Sequence, residues 1–319
     1  MMEWLLISLG LLILLLAGDA LVRGAVNLSL RIGIPALIVS LTIVAFGTSA
    51  PELLISLQAA LKNAPGIAIG NVVGSNIANI LLVLGLPAIL TVLHTSGSDT
   101  RRSFVFMIVA TLLFIGLAAC GTFTFWSGVI LLGALALMLL DAVYQTHKHR
   151  KEAEAACLGE DEEEVEGADP EMRWWKIVVF LLLGLIGLPL GADLMVDNAE
   201  IIARRYGVSD TVIGLTLVAL GTSLPELATT LMAALRRQAD VALGNVIGSN
   251  MFNLLAIIGI TSVIHPIAVD PDFLEFDLWV MLGASLLLIP FVFMKKDINR
   301  IWGVIFTVLY LLFILITLT

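Results

Sequence analysis

Residues 37–62 read LIVSLTIVAFGTSAPELLISLQAALK and residues 211–236 read TVIGLTLVALGTSLPELATTLMAALR, a repeat at an offset of 174 positions. Each copy is an apolar run that breaks into a glycine, two hydroxyls, a proline and a glutamate before it resumes. The same offset carries Asp19 onto Asp193, Gly33 onto Gly207, Gly70 and Asn71 onto Gly244 and Asn245, and GSNIAN (74–79) onto GSNMFN (248–253), without a gap. Self-similarity at a fixed spacing marks an internal duplication. The matching is densest at polar residues, where packing alone would not demand it.

The composition gives the repeat its medium. Hydrophobic residues make up 59% of 319 and charged residues 13%, and mean hydropathy is +1.04; soluble domains carry about twice that share of charge. This is the profile of an integral membrane protein. Apolar runs long enough to cross a bilayer core fall at 4–22, 36–61, 67–92, 103–121, 124–144, 175–196, 211–235, 240–264, 276–294 and 300–318. The first begins Met1, Met2, Glu3, Trp4 without a basic segment and is read as a span rather than a secretory signal.

Ten spans in two copies give five per copy, and an odd number sends the second copy into the membrane from the opposite side. Cytoplasmic loops collect Lys and Arg. With the N-terminus outside, 14 of the 17 basic residues fall on the inner side, and only Lys62, Arg204 and Arg205 fall outside. The expected architecture is an all-α membrane protein of ten helices in two inverted five-helix repeats, 1–145 and 174–319. An acidic cytoplasmic linker, 146–173, joins them, both termini are extracytoplasmic, and helices 2, 3, 7 and 8 are interrupted at mid-membrane. Inverted repeats with broken helices are the build of secondary carriers, with the substrate held at the repeat interface.

Pro51 and Pro225 have no N–H and so leave the Gly47 and Gly221 carbonyls without their helical donors. Broken backbone at membrane depth is tolerated where it lines a cavity, and its free carbonyl oxygens suit a cation. Thr48 and Ser49 stand four and three residues before Glu52, as Thr222 and Ser223 do before Glu226, so one helix face gathers two hydroxyls and a carboxylate. In the next span Ser75 and Asn79, and Ser249 and Asn253, share a face. An all-oxygen shell with carboxylates suits hard cations, calcium in particular, and no Cys or His joins it as zinc or copper would prefer. Two bare carboxylates about 5 Å apart at an effective dielectric of about 20 repel by roughly 3 kcal/mol. The empty site is therefore expected to resist crossing, and exchange to be obligatory.

With GTSAPE and GTSLPE each followed by GSNxxN, the chain resembles the cation/calcium exchanger (CaCA) superfamily, in its prokaryotic sodium/calcium exchanger branch. Proton-coupled relatives typically read GNxxE where this chain has GTSxPE. The resemblance implies calcium held by Glu52 and Glu226, aided by the backbone of Thr48 and Thr222. It implies sodium at the Ala45 and Ala219 carbonyls and at Ser49, Ser223, Ser75 and Ser249, with Asn79 and Asn253 in support. It implies an antiporter of the cell (inner) membrane, acting as a monomer, in which sodium entry drives calcium out, with no cofactor, catalytic residue or nucleic-acid partner. Asn253 stands where potassium-dependent and certain archaeal members carry aspartate, which argues against potassium co-transport and leaves two carboxylates in the cluster. A proton-coupled or other divalent-cation exchanger is the alternative on the same scaffold, and a cation channel the alternative of another class.

Other conspicuous residues take plainer readings. Asn71, Asn76, Asn245 and Asn250 are expected to satisfy backbone beside the site, and Gly70, Gly74, Gly244 and Gly248 to allow close packing. Asp19, Asp193 and Asp197 are expected as caps or interfacial groups, and Trp4, Trp126, Trp174, Trp175, Trp279 and Trp302 as an interfacial belt. The acidic run 159–171 reads as a solvated linker, and Cys120 and Cys157 as unpaired and inert.

Overall fold

The computed structural model describes residues 2–95, 100–156, 169, 172–207 and 219–318. Cys157, the acidic run apart from Asp169, and the stretch 211–218 that opens the expected seventh span lie outside the described residues. The fold is helical throughout, apart from a two-residue antiparallel pairing of Thr122–Phe123 with Ile267–Ala268.

The first repeat supplies α1 (Met2–Ile32), α2 (Ala36–Thr48), α3 (Ala50–Leu61), α4 (Pro65–Leu90), α5 (Arg101–Ala118) and α6 (Phe125–Gln145). The second supplies α7 (Trp174–Arg205), α8 (Ala219–Thr222), α9 (Leu224–Leu235), α10 (Ala239–Ile264), α11 (Phe273–Phe293) and α12 (Arg300–Thr317). Eight of these are long and apolar enough to cross a membrane, and the bent pair α2–α3 makes nine among the described residues. The apolar α9, 12 residues long, is too short to qualify alone and falls within the expected seventh span, part of which lies outside the described residues.

The backbone repeats as the sequence does. Among the described residues, the left-handed ones fall into three pairs 174 apart: Gly33 with Gly207, Asn63 with Arg237, and Gly121 with Lys295. Gly33 and Gly207 follow the ends of α1 and α7, where a left-handed residue closes the last turn and glycine adopts it without strain.

The interruptions differ in kind. Between α2 and α3 the chain bends by 45° at Ser49, whose φ of −87° and ψ of 6° leave the helical region. Ser223, at −88° and 0°, repeats this between α8 and α9. Helices α4 and α10, expected to be broken, instead run through, each widening into a π-helical segment at Asn79–Val83 and Phe252–Ile257. Such segments cluster at functional sites because the extra residue re-aims side chains without ending the helix.

α4 and α10 form the centre. Their spans are 78% and 83% buried, against 22–39% for the other helices that qualify alone. α1 and α7 lie along each other through small residues: a Cβ on Gly10 would come 2.8 Å from the Gly191 carbonyl oxygen, and one on Gly184 2.5 Å from Leu21 Cβ. Small residues drive helix association in lipid because they let backbones approach. The packing reading holds for Gly244 and Gly248, which press on Leu37–Ser40 and Leu41–Ala45, but Gly70 meets only the Phe273 ring at 3.6 Å. Five tryptophans are exposed as a belt requires, whereas Trp302 packs edge-on against Phe291 at 5.3 Å.

Candidate cation site

The two helix breaks converge with the π-helical segments of α4 and α10; two further π-helical segments among the described residues, Ser40–Val44 and Phe273–Asp277, lie in α2 and at the start of α11. Glu52 stands in the first turn of α3 and Glu226 in the first turn of α9, and both are fully buried. No Lys, Arg or His occurs in 36–61, 65–90, 219–235 or 239–264. Both Glu52 carboxylate oxygens and Glu226 Oε2 are buried without a hydrogen-bond donor among the described residues. Such groups cost several kcal/mol unless something positive meets them, and intramembrane acids without basic partners mark ion pathways.

Around them stand neutral oxygens, all buried. Ser49 Oγ donates to Glu226 Oε1 at 3.2 Å, a contact between the two repeats. Thr48 Oγ1 lies 3.4 Å from Ser249 Oγ, and Ser223 Oγ has no partner among the described residues. Thr222 and Ser75 are buried at corresponding positions. The Ala45 carbonyl lies at the first break, accepting from Ser49 N–H at 3.1 Å and Thr48 Oγ1 at 3.3 Å. Its counterpart Ala219 opens α8. Pro51 and Pro225 occupy the first turns of α3 and α9, while Gly47 and Gly221 abut Leu185 and Val196 of α7 so closely that neither position has room for a Cβ.

Asn79 Nδ2 donates to Asn250 Oδ1 at 3.1 Å, which leaves Asn79 Oδ1 without a donor. Asn253 is fully buried, and neither of its amide atoms is hydrogen-bonded among the described residues.

The backbone-satisfying role fits Asn71 and Asn245. Asn71 Nδ2 donates to the Glu52 carbonyl at 3.2 Å and to Ser56 Oγ at 2.9 Å. Asn245 Nδ2 repeats this with the Glu226 carbonyl at 3.3 Å and Thr230 Oγ1 at 3.1 Å. Asn76 and Asn250 each donate to the other's main-chain carbonyl, at 3.3 and 3.4 Å, pinning α4 to α10. Two features were not anticipated from sequence. Thr48 Oγ1 reaches across the repeats to Asn245 Oδ1 at 3.3 Å, sharing its one proton between that oxygen and the Ala45 carbonyl, and Ser56 and Thr230 anchor the two asparagines. Ser56 and Thr230 are 174 apart, so the repeat itself held their signal.

The arrangement gathers buried carboxylate, hydroxyl, amide and carbonyl oxygens from both repeats, with no Lys, Arg or His in the helices that build it. Among the described residues no three His, Cys, Asp or Glu side chains cluster as a metal centre, so an ion here would rest on two carboxylates and neutral oxygens.

The chain matches the family described as sodium/calcium exchanger protein over residues 2–143 and 176–319. It is 32% identical to the sodium/calcium exchanger MaX1 of Methanosarcina acetivorans, over 98% of each chain. It is 35% identical to the inner membrane protein YrbG of Escherichia coli, over 88% of this chain and 86% of that one. Its fold superposes on the sodium-calcium exchanger NCX_Mj, soaked with 2.5 mM Na+ and 1 mM Sr2+, with a TM-score of 0.82 and 33% identity over 98% of each chain. MaX1 and NCX_Mj are exchangers rather than enzymes, and this chain, a multi-pass membrane exchanger, belongs to the sodium/calcium exchanger protein family.

Proposed function

We propose that the protein exchanges sodium for calcium by alternating access, with sodium entry driving calcium out of the cell across the inner membrane. The observation that carries this reading is the pair of buried carboxylates, Glu52 and Glu226, with three of their four oxygens unmatched by any donor among the described residues. Calcium is the substrate of that pair, assisted by the main-chain oxygens of Thr48 and Thr222 at the breaks made by Gly47, Pro51, Gly221 and Pro225. Sodium ions take overlapping oxygens: the Ala45 and Ala219 carbonyls and the hydroxyls of Ser49, Ser75, Ser223 and Ser249, with Asn79 and Asn253 beside them. Calcium accepts six to eight such oxygens at 2.3–2.6 Å in flexible geometry.

The scaffold in this reading is ten helices in two inverted repeats, 1–145 and 174–319, joined by the cytoplasmic linker 146–173, with both termini outside and one chain sufficient. The three left-handed pairs at the 174 offset and the matching carbonyl contacts of Asn71 and Asn245 support it.

Radioactive calcium uptake into proteoliposomes tests the function, with sodium and pH gradients imposed separately. Uptake should follow an outward sodium gradient and ignore a pH gradient. Uptake driven by the pH gradient alone would assign the scaffold to proton coupling, and steady calcium current without a counter-ion would make it a channel.

A further inference from the structure

The two repeats match in sequence but not in how their first helices sit. α1 packs along α9: a Cβ on Gly18 would come 2.9 Å from the Ala228 carbonyl oxygen, and Ala228 is buried. The corresponding contact, α7 against α3, is nearly absent, and Leu54, the counterpart of Ala228, is 59% exposed. α1 thus covers α9 while α7 leaves its side of α3 uncovered.

Charged side chains follow the same asymmetry. Asp19 of α1 is ion-paired to Arg236, just past the end of α9, and to Arg23 at 2.9 Å. Its side chain and that of Arg236 are only 19% and 15% exposed. The 174 offset carries Asp19 to Asp193, Arg236 to Lys62 and Arg23 to Asp197. Asp193, Asp197 and Lys62 are all exposed, and no ion pair joins Lys62 to either acid among the described residues. A second acid where the first repeat has Arg23 leaves the open side with two carboxylates awaiting one lysine.

We propose that Asp19 and Arg236 are positioning residues of the exchange reaction, latching α1 onto α9 in one access state, and that Asp193 with Lys62 forms the counterpart latch in the other. The proposal rests on the alternating-access reading. Neither pair touches the ion. Each holds one seal shut while the other is open, so the two compete through the shared α1–α7 contact. A partly exposed ion pair sits at the low end of coupling energies, and losing one should change the ratio of the two states about fivefold.

The test uses the full chain in its membrane with Cys120→Ser and Cys157→Ser, and Leu54→Cys as a reporter for a membrane-impermeant maleimide added from the Lys62 side. Arg236→Ala, or Asp19→Asn, should slow labelling about fivefold as α7 closes over α3. Lys62→Ala should raise labelling or hold it at its ceiling, and the reversed pair, Asp19→Arg with Arg236→Asp, should restore the original rate. A thermal melt confirms that each variant is folded. Labelling unchanged by Arg236→Ala and by Asp19→Asn, or moved in the same direction by Lys62→Ala, overturns the latch. Absence of sodium-driven calcium flux in the unmutated protein counts instead against the proposed function, and the labelling pattern still reports on the latch.

Discussion

Replacing Glu52 by glutamine keeps an oxygen of similar reach and removes one charge from a fully buried site with no basic residue in the helices that build it. A divalent ion about 4 Å from the carboxylate centre, at an effective dielectric of about 20, is held by roughly 8 kcal/mol, and sodium by about half of that. Relief from burying the carboxylate offsets part of this, several kcal/mol by the usual desolvation penalty. That offset is the same whichever ion binds, so with about 4 kcal/mol of it calcium loses about 4 kcal/mol, close to a thousandfold in Kd, and sodium little. Calcium titration by calorimetry, with and without sodium, measures both. The distinctive result is the inequality: Glu52→Gln and Glu226→Gln should each cost calcium far more than sodium and abolish calcium transport. Equal losses for the two ions, or a calcium Kd within tenfold of the original, would refute the charge argument and the site with it.

Other outcomes follow from individual contacts. Asn245→Ala and Thr48→Val should each weaken calcium binding, and because they share the 3.3 Å bond between repeats, the double variant should cost less than the sum by about 1 kcal/mol in a double-mutant cycle. Gly184→Ala would drive a methyl into Leu21 Cβ and should destabilise the fold by about 1–3 kcal/mol, seen as a lower melting temperature in detergent. Pro51→Ala returns an N–H toward the Gly47 carbonyl and should straighten the 45° bend, lowering calcium flux while leaving the melting temperature unchanged or higher.

The membrane class, the duplication and the polar cluster were legible in sequence because each rests on residue type at a fixed spacing. Proline at 51 and 225 announced the breaks because it lacks a donor whatever surrounds it. Glycine at 74 and 248 did not announce a break. Its effect depends on what the helix packs against, and buried α4 and α10 kept their turns by widening rather than parting. Asp19 was read as an interfacial group, but it forms ion pairs with Arg23 and Arg236. Its nearer partner lies 217 residues away, and no local pattern encodes that pairing. Trp302 likewise belongs to an aromatic cluster with Phe291 and Phe306, a tertiary fact invisible in a hydropathy trace. The asymmetry between α1 and α7 could not be read from sequence at all, because two matched repeats predict two equal halves.

That asymmetry and the two unmatched carboxylates bear on whether the empty protein can cycle. Switching access moves the seal from one side of the site to the other, and midway both sides exclude water. With no ion inside, Glu52 and Glu226 would meet that enclosure bare, repelling each other by about 3 kcal/mol if about 5 Å apart and losing any remaining solvent at a further cost of several kcal/mol. Even about 4 kcal/mol of that penalty slows the empty switch about a thousandfold relative to the loaded one. Vesicles loaded with calcium and diluted into medium free of sodium and calcium should therefore retain it for many turnover times. External sodium, or external calcium at its binding concentration, should release it at once. Rapid loss into ion-free medium would mean that the empty carrier returns freely, and the two carboxylates would then not be what couples one ion's passage to the other's.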